Sequence, residues 1–278
     1  MIREIKNTSR SKQPIVHPPF SKIGDFKGIS IAVKETKALP VNAAQIKKFL
    51  SNYILAAQSD YDFVRLAPHL ETVTLVSGKQ LHSSGEACSY VYFPETAVVS
   101  NLYTLVDGST IEVAMVGREG ATDLSEIFGS QPSLHWSQVA IGGTALRIKT
   151  EILKDEFNRG GRIQTSLLSY LNLHIAQISQ RVVCKSFHTI EKRLSSWLLM
   201  LNDRVRKNQL PLTQEQISLF LGVHRPSVTL VAQTLREKNL IDYVRGKILI
   251  LDRKGLESAA CECYSVVQNN LLSSAAVN

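Results

Sequence analysis

Cysteine is scarce in this 278-residue chain. The four present, Cys88, Cys184, Cys261 and Cys263, are irregularly spaced. That fits reduced thiols in a cytoplasm and excludes the disulfide framework of a small secreted domain. No long uninterrupted apolar run occurs, so a membrane-spanning helix, and with it a membrane partner, is not expected. The opening stretch MIREIKNTSRSKQPIVHPPF carries charge but lacks the apolar centre of a secretory signal. Catalytic signatures are missing as well: there is no Gly-x-Ser-x-Gly elbow, no phosphate-binding Gly-Lys-Ser/Thr loop and no His-Glu-x-x-His. Nothing favours an enzyme, and the expected location is cytoplasmic.

What is present is a normal apolar content, 44% of residues, enough for a sizeable core, and a net charge of +8. The charge is unevenly placed. Residues 1–50 carry a net +7, residues 51–160 a net −6, residues 161–255 a net +9 and the remainder −2. A basic third block after an acidic second one fits either a polyanion partner or a solvated basic face.

Residues 1–45 have no sustained periodicity and are expected to form a basic tail, with a short helix starting near Ala43. Residues 46–160 change character. Short apolar runs (ETVTLV, KQLH, SYVYF, AVVSNLYTLV, TIEVAMV, SQVAI, TALRI) alternate with turn signals (SGK, SSGE, DGS, GREG). This pattern predicts a small barrel, roll or sandwich, with VDGST as a hairpin. Residues 161–186 then become helical. Leu168, Leu171, Ile175, Ile178 and Val182 repeat at intervals of three and four, as in a coiled-coil seam. Such a helix either packs on its own roll or pairs with a second copy. Its length beside a compact β domain favours the dimer. A further helix is expected over about 188–204, with Leu194, Trp197, Leu198 and Leu201 on one face.

Within residues 187–264 the stretch LTQEQISLFLGVHRPSV holds two helix signals in close succession. Thr213 and Gln216 have the spacing of a capping box. Ile217, Phe220 and Leu221 form a core stripe, and Gly222 stands where a helix end needs a left-handed residue. Pro226 falls in the first turn of the next helix, whose Val228, Val231, Ala232 and Leu235 turn inward. That leaves Arg225, Ser227, Thr229 and Gln233 as candidates for base edges, since arginine suits guanine O6/N7 and small polar side chains reach other edges. Thr213, His224, Arg245 and Lys247 are the candidates for phosphate, the last two at the tip of a hairpin in IDYVRGKILILD. Residues 265–278 are expected as a flexible tail.

Over residues 52–264 the chain resembles the Crp/Fnr family of transcription regulators. The likeness is carried by LTQEQISLFLGVHRPSVTLVAQTLREKNLIDYVRGKILILD, by YVYFPETAVVS and DGSTIEVAMVGREG, and by CKSFHTIEKRLSSWLLM. It implies an α+β fold: an antiparallel, jelly-roll-like β-roll of the cyclic-nucleotide-binding type, a long dimerisation helix and a C-terminal winged helix-turn-helix. It also implies a homodimer on near-palindromic double-stranded DNA and contact with RNA polymerase.

The departures are specific. Asp123-Leu124 stands where nucleotide-binding members have Gly-Glu, and Trp136-Ser137-Gln138 where they have Arg-Ser-Ala. An aspartate and a tryptophan cannot cradle a phosphodiester, so cyclic AMP is not expected to bind in the usual way. Arg118, Glu119, Asp123 and Trp136 outline the candidate effector pocket. On the recognition helix Arg225 is kept, but Pro226 and Leu230 replace a glutamate and a second arginine of the best-known members, so the operator should differ. No cysteine precedes Cys88, which argues against the N-terminal iron–sulfur cluster of the oxygen-sensing members. Cys184 and His188 supply only two ligands, and Cys261 with Cys263 lacks a partner pair, so no metal or other cofactor is expected and these residues are read as packing. Nothing points to haem at His69 or His82. The alternative to a ligand-responsive regulator is an effector-independent repressor or architectural protein.

Overall fold

The computed structural model describes residues 47, 50–129 and 132–277, without the side chains of 272–277. The basic tail expected over 1–45 lies outside the described residues. Helices α1 (Tyr53–Ala56) and α2 (Asp60–Leu66) and a 3-10 turn (Ala67–His69) lead into the β domain. Each of the seven apolar runs contains a strand: β1 (Glu71–Leu75), β2 (Gln80–His82), β3 (Tyr90–Pro94), β4 (Val98–Thr104), β5 (Thr110–Val116), β6 (Trp136–Ile141) and β7 (Gly143–Lys149). They form two antiparallel sheets, ordered β1-β7-β3 and β2-β6-β4-β5, which is the expected roll. Val73, Leu75, Val99, Val139 and Ala145 point to the inner faces of the sheets and meet in a small core between them. VDGST closes β4 onto β5, with Thr104 opposite Thr110.

Helix α3 (Ser125–Phe128) lies in the link from β5 to β6, and α4 (Thr150–Arg159) follows the roll. Helix α5 (Arg162–Phe187) then runs for 26 residues, roughly 39 Å at 1.5 Å per residue. Helix α6 (Ile190–Val205) starts on a Thr189 side-chain cap and buries Leu194, Trp197, Leu198 and Leu201, the predicted face. Strand β8 (Gln209–Leu210), helices α7 (Gln214–Leu221) and α8 (Arg225–Glu237), and strands β9 (Ile241–Val244) and β10 (Lys247–Ile250) complete a winged helix-turn-helix, in which β8 pairs with β10 as a third strand of the wing.

The end of the chain is not the flexible tail expected from its sequence. After α9 (Arg253–Ala259), the stretch expected as a tail from residue 265 is helical: α10 (Glu262–Val277) packs along α5. Tyr264 and Val267 are buried and Leu271 packs on the same core. Their spacing of three and four is a short apolar stripe that burial against α5 turns into a helix.

One hydrophobic core crosses from the roll into the C-terminal part. Val98, Leu102, Met115 and Ile141 of the roll join Trp197, Leu198, Phe220 and Ile241. Glu112 on β5 lies fully buried at this crossing. Its Oε1 accepts from Trp197 Nε1 at 2.9 Å and pairs with Arg181 Nη2 at 2.8 Å, while Ser100 Oγ donates to its other oxygen. Burial pushes the Glu112 carboxyl up, and Arg181 pulls it back down. A second buried pair, Arg204 Nε to Glu119 Oε1 at 2.7 Å, ties α6 to the turn that follows β5. Among the described residues no helix is long and apolar enough to cross a membrane.

Candidate nucleic-acid interface

The corner between α7 and α8 is built by local chemistry. Thr213 caps α7: its hydroxyl accepts the Gln216 N–H at 3.2 Å, and Gln216 Oε1 accepts the Thr213 N–H at 2.9 Å. Gly222 ends the helix in the left-handed region, φ 61° and ψ 50°. A three-residue turn then starts α8, with Pro226 in its first turn where the absent N–H leaves no bond unmade. Ile217, Phe220 and Leu221 of α7 and Val228, Ala232 and Leu235 of α8 are buried, which fixes the rotation of both helices.

That rotation decides which candidate base-reading residues face outward. Arg225, Thr229 and Gln233 are exposed, while Ser227 is half-buried at the edge of the face. Arg225 Nη1 lies 3.9 Å from Glu215 Oε2 with both side chains mostly in solvent. Such a pair holds its partners weakly, so the guanidinium can leave for another acceptor. Thr229 Oγ1 donates to Gln214 Oε1 at 2.8 Å, which staples α8 to α7. Gln233 Nε2 donates to Glu237 Oε1 at 2.9 Å along the same helix. Leu230, marked in the sequence only as a departure from the family pattern, is 67% exposed in the middle of this face. An apolar side chain there suits a thymine methyl. Its position, one turn on from Pro226 and one turn back from Gln233 and Thr234, was the available signal.

The candidate phosphate contacts surround that face. His224 is the exposed N-cap of α8 and makes no side-chain capping bond. Arg245 and Gly246 form the two-residue tip of the β9–β10 hairpin at φ 48° and 75°, the left-handed pair such a turn requires. Arg245 and Lys247 are both exposed. The Thr213 hydroxyl is committed to the capping box, so it is less available than the sequence suggested.

The four candidate effector residues do not share a cavity, and that grouping is corrected. Arg118 donates through Nε to the Arg204 carbonyl at 3.1 Å, and Glu119 pairs with the Arg204 side chain, both facing α6. Burial lowers the Arg118 pKa. Asp123 faces the roll interior, at φ 55°, and accepts from Ser137 Oγ at 2.6 Å. Trp136 turns the other way, donating through Nε1 to Thr104 at 3.0 Å and packing on the shared core. Neighbouring strand positions point to opposite faces of a sheet, and the connection of residues 117–124 folds between two different neighbours; linear proximity hid both facts.

The seam residues of α5 divide into two sets. Leu168, Ile175 and Val182, seven apart, are exposed, whereas Leu171 and Ile178 are half-buried against their own chain. Val183 and Phe187 are exposed as well but lie to the side of this stripe. The expectation that no metal ligands assemble is also corrected: Cys184, His188, Cys261 and Cys263 bring four ligand atoms within 4.8 Å of one another.

Comparison with known proteins agrees with this geometry. Residues 192–259 match the Crp-like helix-turn-helix domain family. Solved structures share the fold. FixK2 from Bradyrhizobium japonicum is 15% identical, with a TM-score of 0.59, over 69% of this chain and 98% of that one. A protein from Eubacterium rectale described as a transcriptional regulator of the Crp/Fnr family is 20% identical, with a TM-score of 0.60, over 75% and 98%. A Crp/Fnr-family regulator from Thermus thermophilus is 20% identical, with a TM-score of 0.58, over 68% and 98%. No curated protein matches the chain by sequence.

Proposed function

We propose that this chain, a transcription regulator of the Crp/Fnr type by its fold and its Crp-like helix-turn-helix, binds near-palindromic promoter sites as a homodimer in the cytoplasm. The observation that carries the reading is the exposed face of α8, with Arg225, Thr229, Leu230 and Gln233 in line beside a hairpin tipped by Arg245 and Lys247. A purely structural corner has no use for an outward arginine, an outward leucine and two cations on the adjoining turn together.

The exposed Leu168, Ile175 and Val182 stripe supports self-pairing, because apolar side chains seven apart on a helix lose most of their exposed area against a copy of themselves. Pairing there would set two α8 helices about 34 Å apart, one turn of DNA. Contact with RNA polymerase is part of the same reading.

The roll interior favours a regulator that does not take a cyclic nucleotide in the usual way. Asp123 and Ser137 hydrogen-bond each other at 2.6 Å where a phosphate would need a cation. That same observation favours, as a second reading, an effector-independent repressor or architectural protein, whose promoter affinity no small molecule would change.

The test is a binding titration on duplexes selected from a random pool. Arg225→Ala should lose about 1–3 kcal/mol and relax the base preference at one position, whereas Arg245→Ala should weaken all sequences alike and flatten the salt dependence. Unchanged affinity and preference in Arg225→Ala would refute the assignment of the recognition helix.

A further inference from the structure

Four groups from two distant stretches of chain meet where α5, α6 and α10 join. Cys184 lies in the last turn of α5, and His188 is the residue that ends α5. Cys261 and Cys263 flank the first residue of α10. Cys184 Sγ is 3.5 Å from Cys261 Sγ, and Cys263 Sγ is 3.4 Å from His188 Nδ1. All four ligand atoms lie within 4.8 Å of one another. All four cysteines of the chain are free thiols.

From these positions we propose that Cys184, His188, Cys261 and Cys263 bind one Zn²⁺ ion in a tetrahedral Cys₃His site. With Zn–S near 2.3 Å and Zn–N near 2.0–2.1 Å, the edges of such a tetrahedron are about 3.8 Å between sulfurs and about 3.5 Å between sulfur and nitrogen. The two distances given above already have this size. A polynuclear iron–sulfur cluster would need its thiolates spread further apart to enclose several metal atoms. Hard cations such as Mg²⁺ or Ca²⁺ prefer oxygen donors, which this set does not supply.

The surroundings of the cluster are those of a supported metal centre. His188 Nε2 stands 3.4 Å from Glu262 Oε1. A carboxylate there fixes the imidazole so that Nδ1 is free to bind the ion. Gln180 Nε2 donates to Cys263 Sγ at 3.1 Å, and Ser196 Oγ is 3.1 Å from Cys261 Sγ. Arg193 and Arg181 line the adjoining cleft of about 230 Å³, which reaches Cys184 and Cys263 and gives an ion a way in. Arg181 is already paired with Glu112, so it is the charge of Arg193 that offsets the excess negative charge of three thiolates around one divalent ion. Binding releases the thiol protons to solvent, so occupancy couples to folding of the joint.

The ion would fasten the last turn of the long helix, the first residues after it and the start of the C-terminal helix to one another. That joint sets the direction in which α6, and with it α7 and α8, leaves the long helix. Its effect on DNA binding rests on the function proposed above; the metal site does not.

The experiment uses the full chain, stripped of metal under reducing, oxygen-free conditions and titrated with Co²⁺. One equivalent should produce the strong visible bands of tetrahedral cobalt with thiolate charge transfer, and Zn²⁺ should displace it. C184S and C263S should lose the charge-transfer signature, while C88S, outside the cluster, should keep it. E262Q, which alters only the support of His188, should still bind but about 10–100-fold more weakly. Absence of a tetrahedral cobalt spectrum from the reduced wild-type protein would overturn the proposal, as would a spectrum indifferent to both C184S and C263S. A Cys184–Cys261 disulfide in the purified protein whose reduction brings no metal uptake would count against it in the same way. A protein that binds zinc but no duplex would refute the DNA reading and leave the site standing.

Discussion

Gly222→Ala separates two forces that meet at one atom. Gly222 sits at φ 61° and ψ 50°, and an alanine held there costs about 1–2 kcal/mol in backbone energy. The added methyl would also lie 2.9 Å from Ile111 Cδ1, 3.0 Å from its Cγ1 and 3.1 Å from its Cβ. A rotamer change moves the outer two atoms but leaves the root of the side chain in place, so overpacking adds about 1–3 kcal/mol. The expected total is about 2–5 kcal/mol. Ile111 belongs to β5 of the roll, so the second part exists only while α7 is docked there. A double-mutant cycle isolates it. In an Ile111→Ala background the cost of Gly222→Ala should fall to the backbone part alone, leaving a coupling of about 1–3 kcal/mol. Equilibrium guanidinium unfolding followed by circular dichroism reads all four corners of the cycle. Equal costs in both backgrounds would refute the docked arrangement, and a neutral Gly222→Ala would refute the left-handed assignment too.

Ile175→Glu, at the centre of the exposed stripe of α5, should abolish self-association. Losing two buried isoleucines per dimer is worth about 3–6 kcal/mol, or 10²–10⁴ in dissociation constant; sedimentation equilibrium measures it, and a wild-type protein that is already monomeric would remove the basis of the prediction. Stability should fall on acidification below neutrality. Burial holds His135 and His174 at about 4, below the ordinary 6.5, with Asp123 partly opposing the shift at His135 and Glu119 at His174. In that window the unfolded chain takes up protons that the folded chain refuses, so the contribution is complete above pH 6.5 and is lost as pH drops towards 4, by up to about 3 kcal/mol for each histidine. Thermal melts of wild type, His135→Gln and His174→Gln over that range test this, and a wild-type melting temperature that rises on acidification would contradict it.

Much of this molecule was legible because its signals are local. Thr213, Gln216, Gly222 and Pro226 each answer a requirement of a helix end within four residues, and the seven strands declare themselves by alternation and turns. What was not legible depends on contacts far apart in sequence. Glu112, in an alternating strand, looks like an outward residue; Arg181 and Trp197, on later helices, make its burial tolerable. Cys184 and Cys261 are 77 residues apart, and only the packing of α10 on α5 makes neighbours of them. That helix was itself missed, because its apolar residues are spread around the helix and show little one-sided periodicity until the surface of α5 selects Tyr264, Val267 and Leu271 for burial. The effector pocket failed for a related reason: neighbours in sequence were assumed to be neighbours in space.

The core that runs from Val98 and Met115 through Trp197 to Ile241 bears on how this protein can be dissected. A fragment cut out at residue 189 to isolate the winged helix would keep most of this core but bare the faces of Trp197 and Phe220 that the roll covers, so it should be less stable than the intact chain. In a scanning calorimeter the winged helix should therefore melt at a lower temperature as a fragment than within the intact chain, because the roll, which has cores of its own, no longer covers that face.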